Sequence, residues 1–153
     1  MFTDQNNRKL TILIAEDDDG HAELIREQLE DAGLTNPMIR FVNGQDAWNF
    51  LSRSGPGPHR QVNDSYVLLL DIRMPKMDGV EVLRKIKTDP KLHNLPVIML
   101  TTTNDPREIK ECYALGCNSY ITKPVNYDQF SEALKRLGFF LSIIQISPIN
   151  GLD

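Results

Sequence analysis

Residues 66–71 read YVLLLD, an unbroken apolar run that stops at a single carboxylate. A strand covered on one face alternates apolar and polar positions. An unbroken run marks a strand covered on both faces, as in the middle of a parallel sheet. A carboxylate at the end of such a run is costly to bury without a partner. The stretch therefore predicts a parallel sheet with helices on both sides, and it asks what keeps Asp71 company.

Outward from this run, strand and helix patterns alternate. LTILIAE (10–16) is a buried strand, followed by a helix from about Asp19 to Ala32 that Gly33 stops. Its inner face is Ala22, Ile25 and Leu29, with Leu24 beside them. MIRFV (38–42) predicts a second strand and GQDAWNFLSR (44–53) a short helix. Residues 54–65 form a Gly- and Pro-rich loop with no expected chemistry. After 66–71 come a helix over 79–89, a strand over 95–102, a helix over 106–116 and a short strand over 119–122. One long helix over 126–146, ended by Pro148, closes the chain. Five β-α repeats imply an α/β fold with right-handed crossovers. In this length they suit a flavodoxin-like, doubly wound, five-stranded parallel sheet of order 2-1-3-4-5.

The chain has 153 residues, which fits a single domain over 1–153, with a core of about 9–140 and a C-terminal extension of about 138–153. The net charge of −4 and the lack of a basic stripe argue against nucleic acid as a partner. The longest apolar cluster, LGFFLSIIQI (137–146), is about half of what a membrane span needs. The polar start MFTDQNNRKL lacks a secretion signal, so a cytoplasmic protein with Cys112 and Cys117 as free thiols is expected. His21, His59 and His93 form no metal-ligand pair and read as surface residues.

In doubly wound sheets ligands bind at the carboxyl ends of the strands. Those ends carry Glu16-Asp17-Asp18, Asp71, Thr101 and Lys123. Carboxylates from two neighbouring strands make a hard, oxygen-rich pocket that suits Mg²⁺. Asp18 is ambiguous between this rim and a helix cap, and Asp19 belongs to the first helix. With a cation and Lys123 beside it, Asp71 stays ionised and nucleophilic, able to accept a phosphoryl group. Lys123 and the Thr101 hydroxyl would clamp that group. A cis Lys123–Pro124 bond would aim the lysine at the rim.

The motifs IAEDD (14–18), LLLDIRMPKMDG (68–79), VIMLTT (97–102) and YITKPV (120–125), in this order and spacing, resemble the receiver domain of two-component response regulators. The resemblance covers about residues 9–140 and implies a role for each matching position. Glu16 and Asp17 bind Mg²⁺ with Asp71 and the backbone carbonyl of Arg73. Asp71 accepts the phosphoryl group from a sensor histidine kinase, and Lys123 pairs with it. Thr101 and Tyr120 are the switch residues, and Gly79 permits the turn into the helix after strand 3. Arg73 and Thr103 are expected to flank the phosphoryl group and set how fast water removes it.

Two rivals share part of this pattern. A flavin-binding module would want a phosphate-binding loop where this chain has carboxylates. An aspartyl-phosphate phosphatase of the haloacid-dehalogenase type would carry a second Asp at position 73, where Arg73 stands. The resemblance implies a phosphoacceptor rather than an enzyme with a separate substrate. With few residues beyond the match, a stand-alone receiver is expected. The apolar tail resembles that of small receivers associated with bacterial phytochromes, and its excess of Phe and Ile predicts a homodimer through the C-terminal region.

Overall fold

Strand β3 (Ser65–Leu70) is buried along its whole length, paired on both edges and covered on both faces. The computed structural model describes residues 10–144 and 146–149. β1 (Leu10–Ala15) lies on one side of β3 and β4 (Val97–Thr101) on the other, both parallel to it. β2 (Met38–Phe41) and β5 (Ser119–Thr122) are the edges, giving the predicted order β2-β1-β3-β4-β5.

Side chains along the central strands alternate between two cores. Tyr66, Leu68 and Leu70 face one side with Leu83, Ile86 and Cys112, while Val67 and Leu69 face the other with Leu29, Leu134 and Leu137. The first side is covered by α2 (Gly44–Ser52), α3 (Gly79–Thr88) and α4 (Pro106–Leu115). The second is covered by α1 (Asp19–Asp31) and α5 (Tyr127–Ile143). Cys112 and Cys117 are both buried free thiols, and burial pushes the Cys112 thiol up to about 12.

Every described helix begins just past a strand end, on one rim of the sheet, and each is capped by Asp or Asn. Asp18, Asn43, Asp78, Asp105 and Asn126 each accept a backbone N–H from the first turn. Such caps satisfy donors that a helix start otherwise leaves unpaired.

Two glycines admit close backbone approaches under this rim. A Cβ on Gly79 would lie 2.0 Å from the Asp71 carbonyl oxygen, and one on Gly44 would lie 1.9 Å from that of Met77. Gly79 is thus required by contact, with its N–H donating to the Ile72 carbonyl at 2.8 Å, rather than by an unusual dihedral angle.

The final helix is shorter than the 126–146 expected from sequence: α5 ends at Ile143, and Ile144 is extended. β-branched residues are weak helix formers, and the chain gains burial by leaving the helix. Ser65 donates its hydroxyl to the Ile146 carbonyl at 2.9 Å. Ile149 then pairs with Asn63 and Asp64 through two backbone bonds of 3.0 and 3.1 Å. Its side chain enters the core on the opposite face of the sheet from α5. The tail therefore straps the amino end of β3. No helix of the described residues is long and apolar enough to cross a membrane.

Candidate functional site

Four parallel strands deliver polar side chains to one rim. β1 runs into Glu16 and Asp17, β3 into Asp71, β4 ends on Thr101, and β5 leads to Lys123. Glu16 and Asp71 are buried while Asp17 is exposed, and one oxygen from each of the three lies within 4.8 Å of the others. Such a group of hard oxygens could hold a divalent metal ion.

Lys123 Nζ is buried at the centre. It pairs with Glu16, lies 3.4 Å from Asp71 Oδ2 and donates to His21 Nδ1 at 3.1 Å. The Lys123 backbone N–H donates to the Thr101 carbonyl at 2.7 Å, and this bond aims the side chain. Among the described residues Gly57–Pro58 is the one cis peptide, so the Lys123–Pro124 bond is trans and the lysine reaches the rim without a cis bond. Burial pushes the Glu16 carboxyl up to about 7 against the opposing pull of Lys123. The two oxygens of Asp71 are distinct: Oδ1 accepts the Ile72 N–H at 2.7 Å, and Oδ2 faces Lys123.

The ambiguity at Asp18 resolves toward the cap. Its Oδ1 accepts the His21 N–H at 2.8 Å, which holds its carboxyl below the usual range, and it lies outside the three-carboxylate group. Asp19 belongs to α1 and pairs with Arg40 at 2.6 Å, while Arg40 Nε donates to the Glu16 carbonyl at 2.9 Å. Arg40 thereby ties β2, the end of β1 and α1 together beside the pocket.

A second cluster stands over β4 and α4. Thr101 is fully buried, and its hydroxyl oxygen accepts a long 3.5 Å bond from the Thr103 N–H. Thr103 donates its own hydroxyl to Glu108 at 2.6 Å, and Arg73 pairs with the same carboxylate at 3.2 Å. The Arg73 side chain is thus turned toward α4. Tyr120 donates its hydroxyl to the Thr103 carbonyl at 2.8 Å, and burial pushes its phenol up to about 12.

His21, Arg40 and Glu108 were not singled out by sequence. His21 touches a lysine 102 residues away and Glu108 an arginine 35 residues away. The one local hint at His21 is its place in the first turn of a helix that starts at the rim.

The response regulator receiver domain family model matches residues 12–135. The chain belongs to that family. The receiver is 33% identical to the response regulator Rcp1 of Synechocystis over 144 residues, 91% of this chain and 93% of Rcp1. The crystal structure of the Mn²⁺-bound form of Rcp1 superposes with a TM-score of 0.79, at 30% identity over 89% of this chain and 97% of that one. A receiver domain from Rhodospirillum rubrum superposes with a TM-score of 0.84, at 42% identity over 92% and 99% of the two chains. The phosphorylated cyanobacterial phytochrome response regulator RcpA gives 0.81, at 32% identity over 90% and 98%.

Proposed function

We propose that this receiver takes up a phosphoryl group on Asp71 from the phosphohistidine of a sensor histidine kinase. The observation that carries the reading is the meeting of Glu16, Asp17 and Asp71 within 4.8 Å, with the Lys123 ammonium reaching two of them. Mg²⁺ would be held by these three carboxylates and the backbone carbonyl of Arg73. When bound, it neutralises charge on the phosphoryl oxygens. Hard oxygen donors suit it, and the Mn²⁺-bound form of Rcp1 supports a divalent ion of this class.

Within that frame the side chains divide the work. Oδ1 of Asp71 is held by the Ile72 N–H, which leaves Oδ2 as the acceptor. The Oδ2–P bond forms as the N–P bond of the phosphohistidine breaks and its imidazole departs. Lys123 keeps its proton and shifts from Glu16 toward the transferred group as negative charge arrives there. The Thr101 hydroxyl, held by one long bond, turns to the phosphoryl oxygens. Loop 102–105 follows, and Tyr120, bonded to the Thr103 carbonyl, passes the change to the face made by α4, β5 and α5. The product is the modified protein itself, which makes this a signalling phosphoacceptor rather than an enzyme with a separate substrate.

The likeness to the phytochrome response regulator RcpA supports a phytochrome-type kinase as the donor. Exposed Phe139, Phe140 and Ile143 on α5 support a homodimer. The test of the acceptor is incubation with acetyl phosphate and Mg²⁺, followed by intact mass. Wild type gains one phosphoryl group and Asp71→Asn gains none; uptake by Asp71→Asn overturns the assignment.

A further inference from the structure

The opposite rim of the sheet carries a basic cleft of about 260 Å³, between the end of α2, the loop before β3 and the segment after α3. Arg53, His59, Arg60 and Lys91 line it with Ser52, and Asp89 is the one acidic side chain among them. Arg60 is its floor. Its backbone N–H donates to the Phe50 carbonyl at 3.0 Å, and its Nε donates to the Leu51 carbonyl at 2.8 Å, closing the end of α2. The residue is only 4% exposed, yet its Nη1 has no partner. A buried guanidinium carries five N–H donors and does not lose its charge in proteins. Burial first, and the charge of Arg53 second, weigh against that charge, and Asp89 offsets them in part. No carboxylate lies within ion-pair distance of Arg60 among the described residues.

Arg53 adds a feature of its own. It closes α2 in the left-handed region, at φ 60° and ψ 40°, with its N–H on the Asn49 carbonyl. A buried cation without an ion-pair partner is among the costlier things a fold can hold. Here it stands beside two further cations, in a space far larger than the roughly 30 Å³ share of one water.

We propose that this cleft binds a small tetrahedral oxyanion, inorganic phosphate or the phosphate of a small ester, between Arg60, Arg53 and Lys91. Arg60 supplies charge-assisted donors from the floor, and the two exposed cations close over the anion. The site is independent of Asp71, since α2 and α3 begin at the rim that carries Asp71 and end at this one.

The test is a titration of the full chain with inorganic phosphate at constant ionic strength, in EDTA so that the carboxylate rim has no metal to recruit phosphate. Amide shifts are followed by heteronuclear NMR, with chloride as the matched control. Saturable shifts at Arg53, Arg60, Lys91 and Leu92 are expected. Arg60→Gln should weaken binding about tenfold or more, the loss of a charged hydrogen bond. Because Arg60→Gln also removes a helix closure, the exposed pair Arg53→Gln with Lys91→Gln is the second arm, expected to weaken binding while α2 amides keep their positions. Shifts that do not saturate, that chloride reproduces, or that the double variant leaves unchanged overturn the proposal.

Discussion

Tyr120 donates its phenolic hydroxyl to the backbone carbonyl of Thr103 at 2.8 Å, tying the edge strand β5 to the loop that follows β4. The same loop residue is held from the other side by Glu108, which accepts the Thr103 hydroxyl at 2.6 Å. Position 103 is therefore set by one bond from β5 and one from α4. Tyr120→Phe removes the first without altering ring packing, and leaves a partly buried carbonyl unpaired. It should cost about 1 kcal/mol of unfolding free energy. It should also speed hydrogen exchange at amides 102–105 while leaving α1 unchanged. Denaturant unfolding and exchange mass spectrometry check both.

Gly79→Ala is expected to act through Asp71. Its new Cβ would meet the Asp71 carbonyl oxygen at 2.0 Å, a contact with backbone that no side-chain rotation relieves. Overpacking of this kind costs about 1–3 kcal/mol, and here the displaced atoms belong to the proposed acceptor. Phosphoryl uptake from acetyl phosphate should fall more than stability alone explains. A comparison with Gly138→Ala, whose Cβ would meet Ala32 at 2.6 Å far from the rim, separates the two effects.

The pH dependence follows from Glu16. Burial raises its carboxyl from 4.5 to about 7 in the folded, metal-free protein. Below the unfolded value both states hold the proton, and this group's contribution to stability is fully present. Between 4.5 and about 7 the unfolded chain releases the proton and the folded one keeps it, so stability falls as pH rises through that window. Glu16→Gln removes the titration, so its stability relative to wild type should increase from pH 5 toward pH 7 and then level. A divalent cation requires the ionised form, so its binding near pH 6 should release protons and weaken as pH falls. Calorimetry in buffers of different ionisation enthalpy measures that release.

Lys123→Met tests the lysine as the internal counter-ion. Removing one partner of a buried pair costs about 3–5 kcal/mol where the remaining charge stays uncompensated. Glu16, already raised to about 7, can answer by keeping its proton, so the loss should be smaller at pH 6 than at pH 8. Mg²⁺ should restore more stability to Lys123→Met than it adds to wild type, because it supplies the missing positive charge and binds only the folded chain. Equal gains for the two proteins would remove Lys123 from that role.

The strand order and the rim were legible because their signals are local: unbroken apolar runs, Asp or Asn before each helix, and carboxylates where strands stop. The parts that were not legible depend on distance in the fold. His21 looks like any surface histidine until β5 brings Lys123 to within 3.1 Å of it. Arg40 is an ordinary strand residue until β2 pairs beside β1 and places Nε on the Glu16 carbonyl. Gly79 looks like a turn residue in the sequence, which does not reveal how closely α3 approaches Asp71. The tail misled for a different reason. Ile143, Ile144 and Ile146 continue a helical spacing, yet burying Ile149 and pairing it with residues 63–64 favours the extended strap.

That strap decides how the proposed dimer must be tested. Cutting the chain near Leu137 would remove Leu141 and Ile149, both buried, along with Phe139, Phe140 and Ile143, which are 65%, 50% and 62% exposed. A truncation would therefore unfold the monomer's own core and lose any dimer for the wrong reason. Phe139→Glu with Ile143→Glu leaves the strap in place and sets two charges on the exposed face of α5, where burial in an interface would be costly. Light scattering should give the mass of two chains for wild type and of one for the variant, with the melting temperature changed little at low protein concentration. Equal masses for the two proteins would rule this face out as the contact, whatever the oligomeric state.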